Sequence, residues 1–143
     1  MVTATMADYE LERTMLASRA AVGVARDLVE QTAREWGLPH LSEDLRLVTD
    51  ELVTNAVAVS PWDGRVKVRI GRYSDGGVMV SVWDQSPKQP EAQQVELTLE
   101  MLDALPEDHE FGGWGLSIVE RLSDSCGVTW VEPFGKWVWA RFR

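Results

Sequence analysis

The sequence has a single cysteine, Cys126, among its 143 residues. No intrachain disulfide can form, which agrees with a reducing compartment. Cys126 itself reads as a small buried hydrophobe rather than a nucleophile. Histidine is almost as scarce. His40 and His109 stand alone, and no Cys/His cluster has metal-ligand spacing, which argues against a zinc site. Positive charge is also short: 14 Lys and Arg face 23 Asp and Glu, a formal net charge of -9. A chain so acidic is repelled by phosphate backbones, so direct nucleic-acid binding is not expected, and protein partners, basic ones above all, fit better. No apolar run approaches the roughly 18 residues of a membrane span. The opening "MVTATMADYELER" has no apolar core of a signal peptide, so a cytoplasmic protein is expected. There is no "GKS" or "GKT", which excludes a P-loop.

What the chain does contain is amphipathic order. Residues 1–7 read as a loose terminus, and "YELER" (9–13) as a short first strand. From about Ala17 to Trp36 apolar residues recur at helical spacing, and Gly37 and Pro39 stop the run. Ser42 is an expected N-cap for a second helix reaching about Val59, with Glu43 and Asp44 in its first turn. "RVKVRIGR" (65–72) alternates strictly, with Val66, Val68 and Ile70 on one face and a cationic side, read as solvated, on the other. "SDGG" turns the chain into "VMVSVWD" (78–84), giving a hairpin. The 27 residues from Gln85 to Phe111 are long for a plain connection and read as a functional lid, with "VELTLEMLDAL" (95–105) as a short helix inside it. "GGWG" opens a helix, "LSIVERLSDSC", and "VTWVE", "PFG" and "KWVWARFR" form a closing hairpin. No repeat or domain boundary is visible, so 1–143 reads as a single domain. The expected fold class is α+β, a two-layer sandwich with helices on one face of a mostly antiparallel sheet.

Three places turn polar groups inward. At about 100° per residue, Leu45, Val48, Leu52, Ala56 and Val59 form the apolar stripe of the second helix. Taking Val48 as zero, Asn55 lies roughly 20° and Glu51 roughly 60° to the side. Both stand at the edge of the core, where an acid or amide costs several kcal/mol unless satisfied. Mg²⁺ with phosphates would satisfy them, the amide oxygen as a hard ligand and the carboxylate as a proton acceptor; so would backbone or water at a plain boundary position. Strand parity puts Asp84 on the face of Val78, Val80 and Val82. There it can accept from a buried donor such as a purine amine, or cap the turn of "DQSP". "GGWGL" offers glycines and free N–H groups before a helix, which suits phosphate, though Gly-rich turns are common.

The order of these features is more specific than any one of them. "DELVTNAV", "VSVWDQSPKQP", "GGWGLSIVERLSDSCGV" and "GKWVWARF" together resemble the Bergerat (GHKL) ATP-binding fold of gyrase and the histidine kinases. Within it they look like the small bacterial anti-sigma-factor serine/threonine kinases, over about Ser18 to Phe142. The resemblance implies ATP and Mg²⁺ as cofactors. It implies Asn55 at Mg²⁺ and the triphosphate, Glu51 as general base, and Asp84 at the adenine amine. Gly113, Gly115 and Leu116 fall at the phosphate site. It also implies a sigma factor or a STAS-type antagonist protein as partner, phosphorylation of a Ser or Thr of that antagonist, and a homodimer.

The chain departs from that pattern in three places. The adenine box usually reads Asp-x-Gly-x-Gly; here "DQSPK" puts Ser86 and Lys88 at the glycine positions. The helix continues after Asn55 with "AVAVS" in place of a basic residue and a His. Residues 85–111 carry seven acids and one base, where a lid over a triphosphate would offer cations. Two readings follow: an ATP-dependent protein kinase with anti-sigma activity, or a non-catalytic regulatory module of the same fold that sequesters a protein.

Overall fold

The computed structural model describes residues 9–87 and 115–143. The "VELTLEMLDAL" helix, most of the expected lid, Lys88 and Gly113 lie outside them. The described chain runs β1 (Tyr9–Leu16), α1 (Arg19–Glu35), a 3-10 turn (Pro39–Leu41), α2 (Ser42–Ala58), β2 (Arg65–Arg72), β3 (Val78–Asp84), α3 (Gly115–Leu122), β4 (Ser125–Trp130) and β5 (Lys136–Phe142). The five strands form one sheet in the order β1-β2-β3-β5-β4, and every pairing is antiparallel. This is the expected α+β arrangement.

Strand alternation decides where the core lies. Val66, Val68 and Ile70 of β2, Val78, Val80 and Val82 of β3, and Val138, Ala140 and Phe142 of β5 are buried on one face. The register lines them into rows, Val68 beside Val82 and Val82 beside Val138. The helices cover that face. α2 packs on α1, α3 and β3, and buries Leu45, Val48, Thr49, Leu52, Val53 and Ala56. α1 presents Ala21, Ala25, Val29 and Ala33, small residues that let its backbone approach α2.

Several boundaries differ from expectation. β1 continues to Leu16 because each of its residues pairs with β2, Leu16 opposite Arg65. Ser42 is not an N-cap: it is already helical at φ -61° and ψ -37°. Its hydroxyl donates to the Pro39 carbonyl, because the 3-10 turn runs straight into α2. Val59 falls just past the end of α2 and is exposed. Cys126 belongs to β4, not to the preceding helix, and is half-buried against the core. The Asp124 N–H already donates to the Arg141 carbonyl, which recruits Ser125 and Cys126 into the strand.

The other face of the sheet is not simply solvated. The Arg69 guanidinium lies 4.1 Å from the Trp137 ring centre and pairs with Glu10 and Glu12. Lys67 stands 4.9 Å from Trp83. The turn before β5 is shaped to the same aromatic layer. Gly135 has φ +95°, and a Cβ there would strike the Trp83 indole. Gly135→Ala is expected to cost roughly 2–3 kcal/mol, from the left-handed conformation plus the collision. A urea midpoint shifted at unchanged slope would register it.

Candidate functional site

α2 is the helix that brings the polar residues together, because it packs on both β3 and α3. Glu51 is buried, at 7 % exposure, on the flank of the Val48–Leu52 stripe. Its Oε2 has no hydrogen-bond partner among the described residues. Burial first, and the neighbouring Asp50 second, push its carboxyl up to about 7. Asn55, one turn on, is half-buried, and its side-chain amide enters no interaction among the described residues. Both stand where the helical angles place them.

Asp50 was not singled out by sequence. It is partly buried, its Oδ1 lacks a partner among the described residues, and burial raises its pKa against the opposing pull of Arg26 and Arg46. An acid beside an acid at a helix edge was the available signal. Asp50 itself turns towards α1, where its Oδ2 stands 3.9 Å from Arg26, whereas the Glu51 carboxylate and the Asn55 amide share one flank of α2. These are hard oxygen donors of the kind Mg²⁺ takes. Among the described residues no three His, Cys, Asp or Glu cluster tightly enough to hold a metal alone.

Asp84 ends β3 on the inner face and is 2 % exposed. The side chain points inward, as strand parity requires, and Oδ1 accepts the Ser86 N–H at 2.8 Å, which is the turn-capping bond. Lys136, the first residue of β5, stands directly opposite. Its Nζ donates to Asp84 Oδ1 at 2.6 Å and to the Ser86 carbonyl at 3.2 Å. Burial raises the Asp84 pKa, and the ammonium and the Ser86 N–H oppose the rise. Lys136 was missed by sequence reading, although its parity with Val138, Ala140 and Phe142 marks it as inward-facing. Gly115 is the first residue of α3 and Leu116 the second, so they stand at a helix N-terminus, the kind of end that suits anions.

α2, which carries the helix-edge acid and amide, packs on β3, which ends in the inward Asp84, and on α3, which Gly115 opens. The family model of the histidine kinase-like ATPase domain matches residues 15–142. The chain belongs to this ATPase family. Among solved structures the chain resembles the RsbU and RsbW domains of Rv1364c from Mycobacterium tuberculosis, at 22% identity and a TM-score of 0.66. That match covers 94% of this chain and 32% of the other, so the chain spans about a third of that relative. It also resembles SiaB in the SiaB–SiaC complex from Pseudomonas aeruginosa, at 17% identity and a TM-score of 0.66, over 92% of this chain and 88% of the other. At these identities the likeness is one of fold. A comparison with curated proteins finds no match. Among the described residues no helix is long and apolar enough to cross a membrane.

Proposed function

We propose that this member of the family binds ATP with Mg²⁺ and phosphorylates a Ser or Thr of an antagonist protein, in the manner of the anti-sigma-factor kinases. The observation that carries this reading is Glu51. A carboxylate held at the core edge, unpartnered at Oε2 among the described residues and pushed up to about 7, is poised to take a proton at neutral pH. A purely structural acid would be satisfied or exposed. Asn55 would hold the ion, which when bound neutralises charge on the phosphates. Asp84 would accept from the adenine amine, and the start of α3, with Gly113, Gly115 and Leu116, would face the phosphates. Glu51 would accept the proton of the attacking hydroxyl.

The acidic chain suits a protein partner, and SiaB, one of its structural relatives, was crystallised with one. The partner class we propose is a STAS-type antagonist or a sigma factor. A single domain, acting as a homodimer in the cytoplasm, completes the proposal. A second reading, a non-catalytic module that sequesters its partner, is favoured by one observation: Lys136 already occupies Asp84 Oδ1.

Trp83 adjoins Asp84, so its fluorescence should report the base. Titration with Mg²⁺-ATP is expected to change the emission, and Asn55→Ala to weaken the response at least tenfold. No response and no calorimetric heat at millimolar ATP would rule out the kinase. Binding without transfer of labelled phosphate to a STAS-type protein would select the second reading.

A further inference from the structure

The Asp84–Lys136 pair has a geometry that a contact made for stability alone does not require. Both side chains are shut away from water, at 2 % and 1 % exposure. Buried ion pairs are commonly no more stabilising than apolar residues of the same volume. The hydrogen bonds are also unevenly shared. Oδ1 takes both the Lys136 ammonium and the Ser86 N–H. Oδ2 takes no hydrogen bond among the described residues. A carboxylate has acceptor capacity on both oxygens, so one oxygen is saturated and the other is kept open.

We propose that Lys136 is a positioning residue for nucleotide recognition: it pins Oδ1 of Asp84 and keeps the carboxylate ionised, so that the amine of an adenine base is read through Oδ2 alone. The proposal rests on the nucleotide-site reading above. Its chemistry is simple. An ionised carboxylate only accepts hydrogen bonds, which suits an amine. A protonated one gains an O–H donor that opposes it. Burial drives Asp84 towards protonation, and among the described residues Lys136 is the charged group that acts on it. The Ser86 N–H contributes a neutral bond, and the other contacts recorded for the ammonium, the Ser86 carbonyl at 3.2 Å and the Trp130 ring at 5.9 Å, carry no formal charge. Without Lys136 the Asp84 carboxyl would therefore titrate upward and lose its acceptor character first at low pH.

The test is calorimetric binding of Mg²⁺-ATP to the full chain at pH 6, 7 and 8.5, with each variant expressed as a ratio to wild type. The ratio cancels the titration of ATP and of Glu51. Lys136→Met is expected to bind at least tenfold more weakly at pH 6 and to regain most of the loss by pH 8.5. The double variant D84N/K136M, which has no group to titrate there, is expected to give a ratio that does not change with pH. Should Lys136→Met lose its fold by circular dichroism, Lys136→Gln, which keeps a donor but not the charge, is expected to show the same slope. A deficit that is equal at all three pH values, no deficit, or a slope that persists in the double variant overturns the role of Lys136. A wild type that binds no ATP is a different result: it removes the nucleotide site, and this inference with it.

Discussion

Glu51→Gln is expected to slow phosphoryl transfer by roughly 10²–10⁴-fold, the usual worth of a positioned general base, and at the same time to stabilise the fold. The two effects have one origin. The carboxyl has an ordinary value of 4.5 and is pushed up to about 7 in the folded chain, mainly by burial. The unfolded chain loses this proton near the ordinary value, while the folded chain holds it until about neutral. Stability therefore falls as pH rises from 4.5 to 7, and the full penalty remains above that. From about 1.4 kcal/mol per pKa unit, it amounts to about 3 kcal/mol. Glutamine carries no such penalty, although its amide still has to be satisfied, so a gain of about 1–3 kcal/mol at pH 8 is expected. Near pH 4.5 the gain should vanish. Urea unfolding at the two pH values measures it, and equal midpoint shifts at both would contradict the linkage. Wild-type transfer should climb through pH 7, as the base ionises.

Asp84→Ala is expected to cost about 3–5 kcal/mol, because it leaves the Lys136 ammonium buried with no counter-charge. That is a large share of the 5–15 kcal/mol that holds a typical domain together, so the variant should unfold at a much lower urea concentration. The double variant D84A/K136M, with both charges gone, should recover most of the loss. A double variant as unstable as the single one would mean that packing at the end of β3, rather than the unpaired charge, sets the cost.

Much of this was legible before any coordinates. The stripe of α2 fixed Leu45, Val48, Leu52 and Ala56 in the core, and placed Glu51 and Asn55 on its flank, because helical geometry is local. Parity alone turned Asp84 inward. What escaped depends on partners distant in sequence. Ser42 lost its capping role to a 3-10 turn that no periodicity announces. Cys126 joined a strand because Asp124 bonds to Arg141 across the sheet. The cations of β2 looked solvated because nothing in "RVKVRIGR" shows that Trp83 and Trp137 stand beside them. Lys136 was overlooked because a lysine at a strand's first residue is normally a solvent-facing one, and only the pairing with Asp84 makes it internal.

The same pairing bears on how the chain can vary. The Asp84–Lys136 link joins positions 52 apart in sequence, and β3 and β5 are adjacent in the sheet although β4 lies between them in the chain. The loop thus closed contains the acid-rich stretch, α3 and β4. Closure entropy grows only logarithmically, by about 0.6 kcal/mol for each doubling of length. A change in the number of residues between Ser86 and α3 therefore alters the closure entropy of the fold only slightly. The clamp between β3 and β5 is thus nearly indifferent to how much chain separates its two halves.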